Sequence, residues 1–283
     1  MGKGRVHVGF LNERVALVTG GSRGQGRAHS IALAAEGAIV IVCDTDTQIA
    51  SVPYPMATRR DLDGTVSSIS AAGGQAHAAV VDVRNAKAVA DLVDGIVADH
   101  GRLDILIANA GICSFSPVTD LSDDQWHDTI DTNLSGVFYC IRAAVPHMTR
   151  AGYGRIVATS SGAGRSGMAN LAHYAASKWG LIGLVKSVAL ETASLGITAN
   201  VVCPTSVGTP MILNDSTFRL FCPEIDQPTE ADARPRFEAL NPMGVAWLEP
   251  EDVTRAVMYL VEDPGYTSGT VLEVNLASSA NRQ

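Results

Sequence analysis

The strongest constraint on the fold is a repeated pairing, in which a short unbroken apolar run is followed by a stretch with helical spacing. Residues 14–19 (RVALVT), 38–43 (AIVIVC), 76–81, 103–107, 155–159, 198–202 and 271–274 read as strands. Helical spacing covers residues 26–36, 62–72, 86–100, a long stretch from Asp123 that Ser122 and Gln125 open as a capping box, about 170–194, and 250–262. Runs that are apolar throughout, not at alternate positions, bury both faces of each strand. Intervening helices supply the crossovers that parallel strands need. We therefore expect one α/β domain over residues 1–283, a doubly wound parallel sheet of about seven strands in three α/β/α layers.

Two segments interrupt the rhythm. Residues 46–60 (DTQIASVPYPMATRR) form a proline-containing insertion after the second strand. Residues 211–243 are long, with Phe218, Phe221 and Phe237 among four prolines. Long excursions from compact domains commonly serve function, so we expect a lid over substrate from the second and a cover for a cofactor from the first.

At the end of the first run stands Thr19-Gly20-Gly21-Ser22-Arg23-Gly24-Gln25-Gly26. Glycines between a strand and a helix let the backbone turn tightly against a pyrophosphate. The amides and positive dipole of the helix N-terminus then meet its charge. The arrangement is Rossmann-like, with Gly20, Ser22, Arg23, Gly24, Gln25 and Gly26 as candidate dinucleotide contacts. Asp44 closes the second strand 18 positions after Gly26, where a carboxylate accepts hydrogen bonds from ribose hydroxyls and repels a 2′-phosphate. Arg23 would favour that phosphate, but no other Lys or Arg follows Asp44 until Arg59, so NAD is the expected cofactor. Asp82 and Val83 can bracket adenine, and Asn109, Ala110 and Gly111 can admit a ribose. With Thr159 at a later strand end, all fall where such sheets bind ligands.

Tyr174 and Lys178 stand four apart on a helix and so share one face. Bringing a phenol from about 10 to about 7 requires roughly 4 kcal/mol of preference for phenolate, which a cation about 4 Å away supplies at an effective dielectric of about 20. Ser161, 13 residues before Tyr174 and just after a strand, can hydrogen-bond a substrate oxygen.

These residues, in this order, resemble the short-chain dehydrogenase/reductase family over about residues 11–274. The resemblance implies reversible hydride transfer between nicotinamide and a secondary alcohol or ketone, with Tyr174 moving the proton and Ser161 fixing the oxygen. It further implies that Lys178 binds the nicotinamide ribose, that Asn133 (in DTNLSG) holds a water in a proton relay, and that the subunits form a homotetramer. Pro204, Val207 and Thr209 match the family's loop against the nicotinamide and phosphates, with Thr205 where glycine is common. More narrowly, RGQGR (after Ser22, where the branch often has Ala), YPMAT, HYAASKWG and PTSVGTPMI followed by Asn-Asp are similar to the mycofactocin-coupled, carveol-dehydrogenase-like branch. That branch implies NAD held without exchange beneath the 46–60 insertion, electrons passing to a redox peptide cofactor, and an apolar cyclic or terpenoid-like alcohol. Phe115, Met168, Trp179, Met211 and Trp247 are the candidate wall residues.

Several function classes are disfavoured. The charge balance, 21 Lys and Arg against 29 Asp and Glu for a net −8, carries no basic cluster for nucleic acid or an anionic membrane. Cys43, Cys113, Cys140, Cys203 and Cys222 are scattered with no CxxC pair, which points to reduced cytoplasmic thiols and away from zinc or a disulfide framework. Residues 1–11 read as neither a secretory leader nor a myristoylation site, Val6 standing where Ser or Thr is required, and no run is long enough for a membrane span. Two rivals stay open: an NADPH-dependent 3-oxoacyl thioester reductase, favoured by Arg23, and a non-catalytic NAD-sensing protein on the same fold.

Overall fold

The computed structural model describes residues 9–280; most of the opening segment discussed above lies outside them. Seven parallel strands form one sheet in the order β3-β2-β1-β4-β5-β6-β7. They are β1 (Val15–Thr19), β2 (Ile39–Asp44), β3 (Gln75–Val80), β4 (Ile105–Ala108), β5 (Gly154–Thr159), β6 (Ile197–Pro204) and β7 (Val271–Val274). Helices α1 (Gly24–Ala35), α2 (Arg59–Ala71), α3 (Ala86–His100), α4 (Asp123–Ile130), α5 (Gly136–Ala151), α6 (Ala172–Thr192) and α9 (Pro250–Glu262) make the crossovers. Strand ends differ from the sequence expectation by one or two residues.

The period of two along a strand builds the two outer layers. Val15 and Leu17 join one core cluster with Val93, Ile141 and Val185 from α3, α5 and α6. Ala16 and Val18 join the other with Leu33, Ile69 and Val257 from α1, α2 and α9. The central strand thus feeds both sides, which is why its sequence is apolar without alternation. Strand order reverses between β1 and β4, each paired in parallel register with β1 central (Ala16 opposite both Val40 and Ile105). At that switch point the strand C-termini open a crevice.

Three departures from expectation concern the site. The insertion at residues 46–60 already enters α2 at Arg59, with Thr58 and Asp61 as its capping box. The helix from Asp123 is broken by a π-helical turn at Asp131–Ser135 that contains Asn133. Residues 211–243 hold two helices that the apolar spacing does not predict, α7 (Asp215–Phe221) and α8 (Glu230–Leu240), packed around a small core of Phe218, Cys222, Phe237 and Trp247.

One packing contact sets an acid limit on the fold. His29 on α1 is fully buried, with Nδ1 2.7 Å from Thr254 Oγ1 on α9. That hydroxyl spends its only hydrogen on the Pro250 carbonyl, so His29 Nδ1 is the donor and its buried Nε2 has no partner. Burial pushes the imidazole down from 6.5 to about 3. The folded state holds it neutral, so the contribution is complete above about pH 6.5 and is lost as pH falls toward 3, by about 1.4 kcal/mol per pH unit. Urea unfolding at pH 7 and pH 5 should differ by about 2 kcal/mol more in the wild type than in His29→Gln. Equal pH slopes in the two proteins would refute it.

Candidate active site

The turn after β1 is built for close approach. Gly20 and Gly24 sit at φ 64° and 53°, the left-handed region that favours glycine. A Cβ on Gly26 would lie 2.0 Å from the Gly20 carbonyl oxygen, so only glycine lets α1 begin hard against the turn. No side chain caps the start of α1 and no acidic residue occupies its first turn, leaving its amides and positive dipole to whatever enters the crevice. Gln25 Oε1 is buried without a partner. Thr209 closes the far side, its Cγ2 3.0 Å from where a Gly24 Cβ would stand. Uncapped amides and backbone without side chains fit a pyrophosphate.

Asp44 lines the same cavity, its carboxylate accepting the amides of Ser22 (3.0 Å) and Thr45 (2.9 Å). Burial pushes it up against those hydrogen bonds. Arg23 is held by the insertion, donating to the Pro55 carbonyl at 2.6 Å, and so does not stand free for a 2′-phosphate. Asp82 and Val83 line the cavity, but the Asp82 carboxylate is clasped by Arg84, which also reaches Asp128 on α4. Ser51 of the insertion donates to that same Asp128 at 2.7 Å. Asn109 spends its amide inside the protein, donating to the Thr19 and Gly20 carbonyls and accepting from Thr159, and so locks the ends of β1, β4 and β5 together. Ala110, Gly111, Pro204 and Val207 also line the cavity, with Val207 bridged to Leu248.

Ser161, Tyr174 and Lys178 open on this cavity of about 360 Å³. Ser161 follows β5, its Oγ accepting the Ala163 amide and contacting the Tyr174 hydroxyl. Lys178 is buried, donates to the Thr159 carbonyl at 2.7 Å, and lies 5.6 Å from the Tyr174 ring centre. Burial brings its ammonium from 10.5 down to about 8. The lowered phenol expected from the sequence is not found in the protein alone. Tyr174 lines the cavity, and burial, followed by the nearby Cys113 thiol, pushes it up. Lys178 is turned to a carbonyl and cannot offset that burial.

Asn133 is brought to this centre by the π-helical turn, but both its amide hydrogens are spent, on the Ile112 carbonyl (3.0 Å) and Ser177 Oγ (3.3 Å), while Oδ1 accepts the Ile112 amide (2.8 Å). It fixes the loop after β4. Phe115, Met168 and Met211 line the chamber; Trp179 does not, being half exposed, and Trp247 is buried in the lid core edge-on to Phe237. Sequence reasoning missed Tyr54, which the insertion delivers to the chamber wall, and the Ser51–Asp128–Arg84 clamp. Neither carries a local signal, because both depend on where a loop lands.

A parallel sheet of this order, with a glycine turn and a Ser-Tyr-Lys group sharing one crevice, defines a dinucleotide-dependent oxidoreductase architecture. The short chain dehydrogenase family model matches residues 14–219, and the chain belongs to that family. It is 40% identical to a (-)-trans-carveol dehydrogenase of Rhodococcus erythropolis over 269 residues, 94% of this chain and 97% of that protein. A 3-oxoacyl-[acyl-carrier-protein] reductase of Synechocystis is 38% identical over 82% of this chain and 91% of its own. Among solved structures, carveol dehydrogenase from Mycobacterium avium in complex with NAD superimposes with a TM-score of 0.93 at 38% identity, covering 96% of this chain and 99% of the other. Among the described residues no helix is long and apolar enough to cross a membrane, no His, Cys, Asp or Glu cluster is placed to hold a metal, and the five cysteines are free and buried.

Proposed function

We propose that this chain is an NAD-dependent dehydrogenase of secondary alcohols, working reversibly on an apolar cyclic or terpenoid-like substrate. The observation that carries this is the placement of Ser161, Tyr174 and Lys178 on the same cavity as the uncapped glycine turn. When bound, NAD supplies the hydride acceptor or donor at its nicotinamide ring. Ser161 Oγ holds the substrate oxygen, Tyr174 takes or gives its proton, and the Lys178 ammonium supplies positive charge beside that exchange and would also hold the nicotinamide ribose. Asn133 positions the loop against which the substrate lies. Gly20, Ser22, Gly24, Gln25, Gly26 and Thr209 would cradle the phosphates, and Asp44 would select NAD. Asp82, Val83 and residues 109–111 would flank the adenosine and ribose, and Pro204 and Val207 the nicotinamide.

The domain is a single catalytic unit in which residues 211–243 cover substrate. Met211, Ile212, Phe221 and Leu240 give the chamber its apolar wall and support the substrate class. The insertion, pinned through Arg23–Pro55 and Ser51–Asp128, supports a nucleotide that is held in place, its electrons leaving to a redox peptide cofactor. Free buried cysteines support a cytoplasmic setting, and exposed Trp126, Phe138, Trp179 and Leu190 on α4–α6 support a homotetramer. The engagement of Arg23 by Pro55 weighs against an NADPH-dependent thioester reductase.

The test is single turnover. Protein loaded with NAD and mixed with carveol should develop the absorbance of reduced nicotinamide, and protein offered NADP should develop far less. Turnover confined to NADPH with 3-oxoacyl thioesters, or to small acyclic polar alcohols, would reject the proposal.

A further inference from the structure

Tyr54 is the one tyrosine the insertion contributes, and the loop that carries it is held at several points. The loop around it is stapled by Gln48, whose Nε2 donates to the carbonyls of Ile49, Val52 and Tyr54 (each 3.2 Å) and whose Oε1 accepts the Met56 amide (2.9 Å). The next residue, Pro55, is anchored by Arg23. The ring packs with Ile49, Val52 and Ile112, and Met56 and Met211 lie against that cluster. The side chain is 4% exposed, and what remains faces the chamber that holds Ser161 and Tyr174. Its hydroxyl is close enough to Tyr174 to act on it electrostatically.

The phenol oxygen accepts the Cys113 amide at 3.2 Å, which fixes its position on the wall. A phenol has one hydrogen to give, and among the described residues none accepts it. An oriented, unspent donor therefore stands on a wall otherwise built of Ile49, Met56, Ile112 and Met211. Burial pushes this phenol up, so it stays protonated and remains a donor across the working pH range.

We propose that Tyr54 is a specificity-determining residue, donating a hydrogen bond to a second oxygen on the substrate, so that the preferred substrates are cyclic secondary alcohols bearing another hydroxyl or carbonyl on the ring. This rests on the dehydrogenase function proposed above. Oxidation would pass a hydride from the carbinol carbon to the nicotinamide of bound NAD and the hydroxyl proton to Tyr174 in its deprotonated form, leaving a ketone; Tyr54 keeps its proton and only orients the ring. A donor left facing apolar wall would lose its hydrogen bond, which is why a ring with one oxygen is discriminated against.

The experiment compares wild type with Tyr54→Phe, both NAD-loaded, on cyclohexanol and on the 1,2-, 1,3- and 1,4-cyclohexanediols, reading the apparent second-order rate of nicotinamide reduction. In the wild type at least one diol is preferred over cyclohexanol by about tenfold, and Tyr54→Phe brings that ratio to about one while leaving cyclohexanol within about threefold. The ratio of two substrates on one preparation is independent of the fraction of protein that is folded. Equal loss on every alcohol, or an unchanged ratio, overturns the proposal. So does a weakened NAD affinity in Tyr54→Phe by fluorescence titration, which would place the hydroxyl on the nucleotide. If wild-type protein reduces bound NAD with none of these alcohols nor with carveol, the dehydrogenase proposal itself has failed; turnover of cyclohexanol without any diol preference refutes the role of Tyr54 alone.

Discussion

Tyr174→Phe should lower single-turnover reduction of bound NAD by about 10³-fold and leave the nucleotide in place, since a positioned proton-transfer group contributes about 10²–10⁴-fold. The substitution removes one oxygen atom. The ring stays packed on α6, four residues from Lys178, and Ser161 loses a contact that it can replace with the substrate oxygen. None of the groups proposed to cradle the nucleotide depends on that hydroxyl: the turn is held by the glycine backbone and by Asp44 on the Ser22 amide. Loss of chemistry with retention of NAD therefore separates an enzyme from a misfolded protein. It also excludes a nucleotide sensor, which would survive the change with its function intact. Because burial pushes the wild-type phenol up, alcohol oxidation needs the deprotonated form of a reluctant acid, and its rate should rise with pH. In Tyr174→Phe that rise should be absent. A variant within about threefold of the wild-type rate would remove Tyr174 from the mechanism.

The layered fold is legible because unbroken apolar runs such as residues 38–43 have no other way to be satisfied than burial on both faces, and α3 and α9 are delimited to the residue from their spacing. The members of the site that lie beside a glycine turn or on one helix face were legible too, since a spacing of four fixes relative position on α6. What failed were inferences that depend on partners distant in sequence. Asp82 looks free in the sequence, but Arg84, itself held by Asp128, closes on it, and Arg23 looks like a phosphate ligand, but Pro55 claims it from 32 residues away. The Tyr174–Lys178 pair was judged on helix geometry alone, which locates the ammonium near the ring but says nothing of the Thr159 carbonyl that claims it or of the burial that raises the phenol. Trp179 and Trp247 were assigned to the chamber by type, yet one faces outward on α6 and the other is consumed by the lid's own core.

Lys178→Met should abolish most turnover and, at neutral pH, make the protein more stable. The side chain is buried and its ammonium falls from 10.5 to about 8 through loss of water, so at pH 7 the folded chain carries a charge that burial disfavours. The drop corresponds to about 3 kcal/mol of destabilisation, fully present below pH 8 and vanishing as pH rises from 8 to 10.5. Methionine nearly matches the stem and removes the charge, but it strands the Thr159 carbonyl, which now accepts at 2.7 Å, at a cost of about 1–3 kcal/mol. The balance is a gain on the order of 1 kcal/mol at pH 7, or a few degrees in melting temperature for a chain of this size, shrinking to nothing or reversing near pH 10. Turnover should fall by about 10²–10³-fold, because the only cation proposed beside Tyr174 has gone. Calorimetry at pH 7 and pH 10, alongside single-turnover rates, reads both effects on one preparation. A site that keeps a costly ammonium does so for chemistry, so a variant that is less stable at pH 7 than at pH 10, relative to wild type, or one that keeps its rate, would show that Lys178 serves the fold instead.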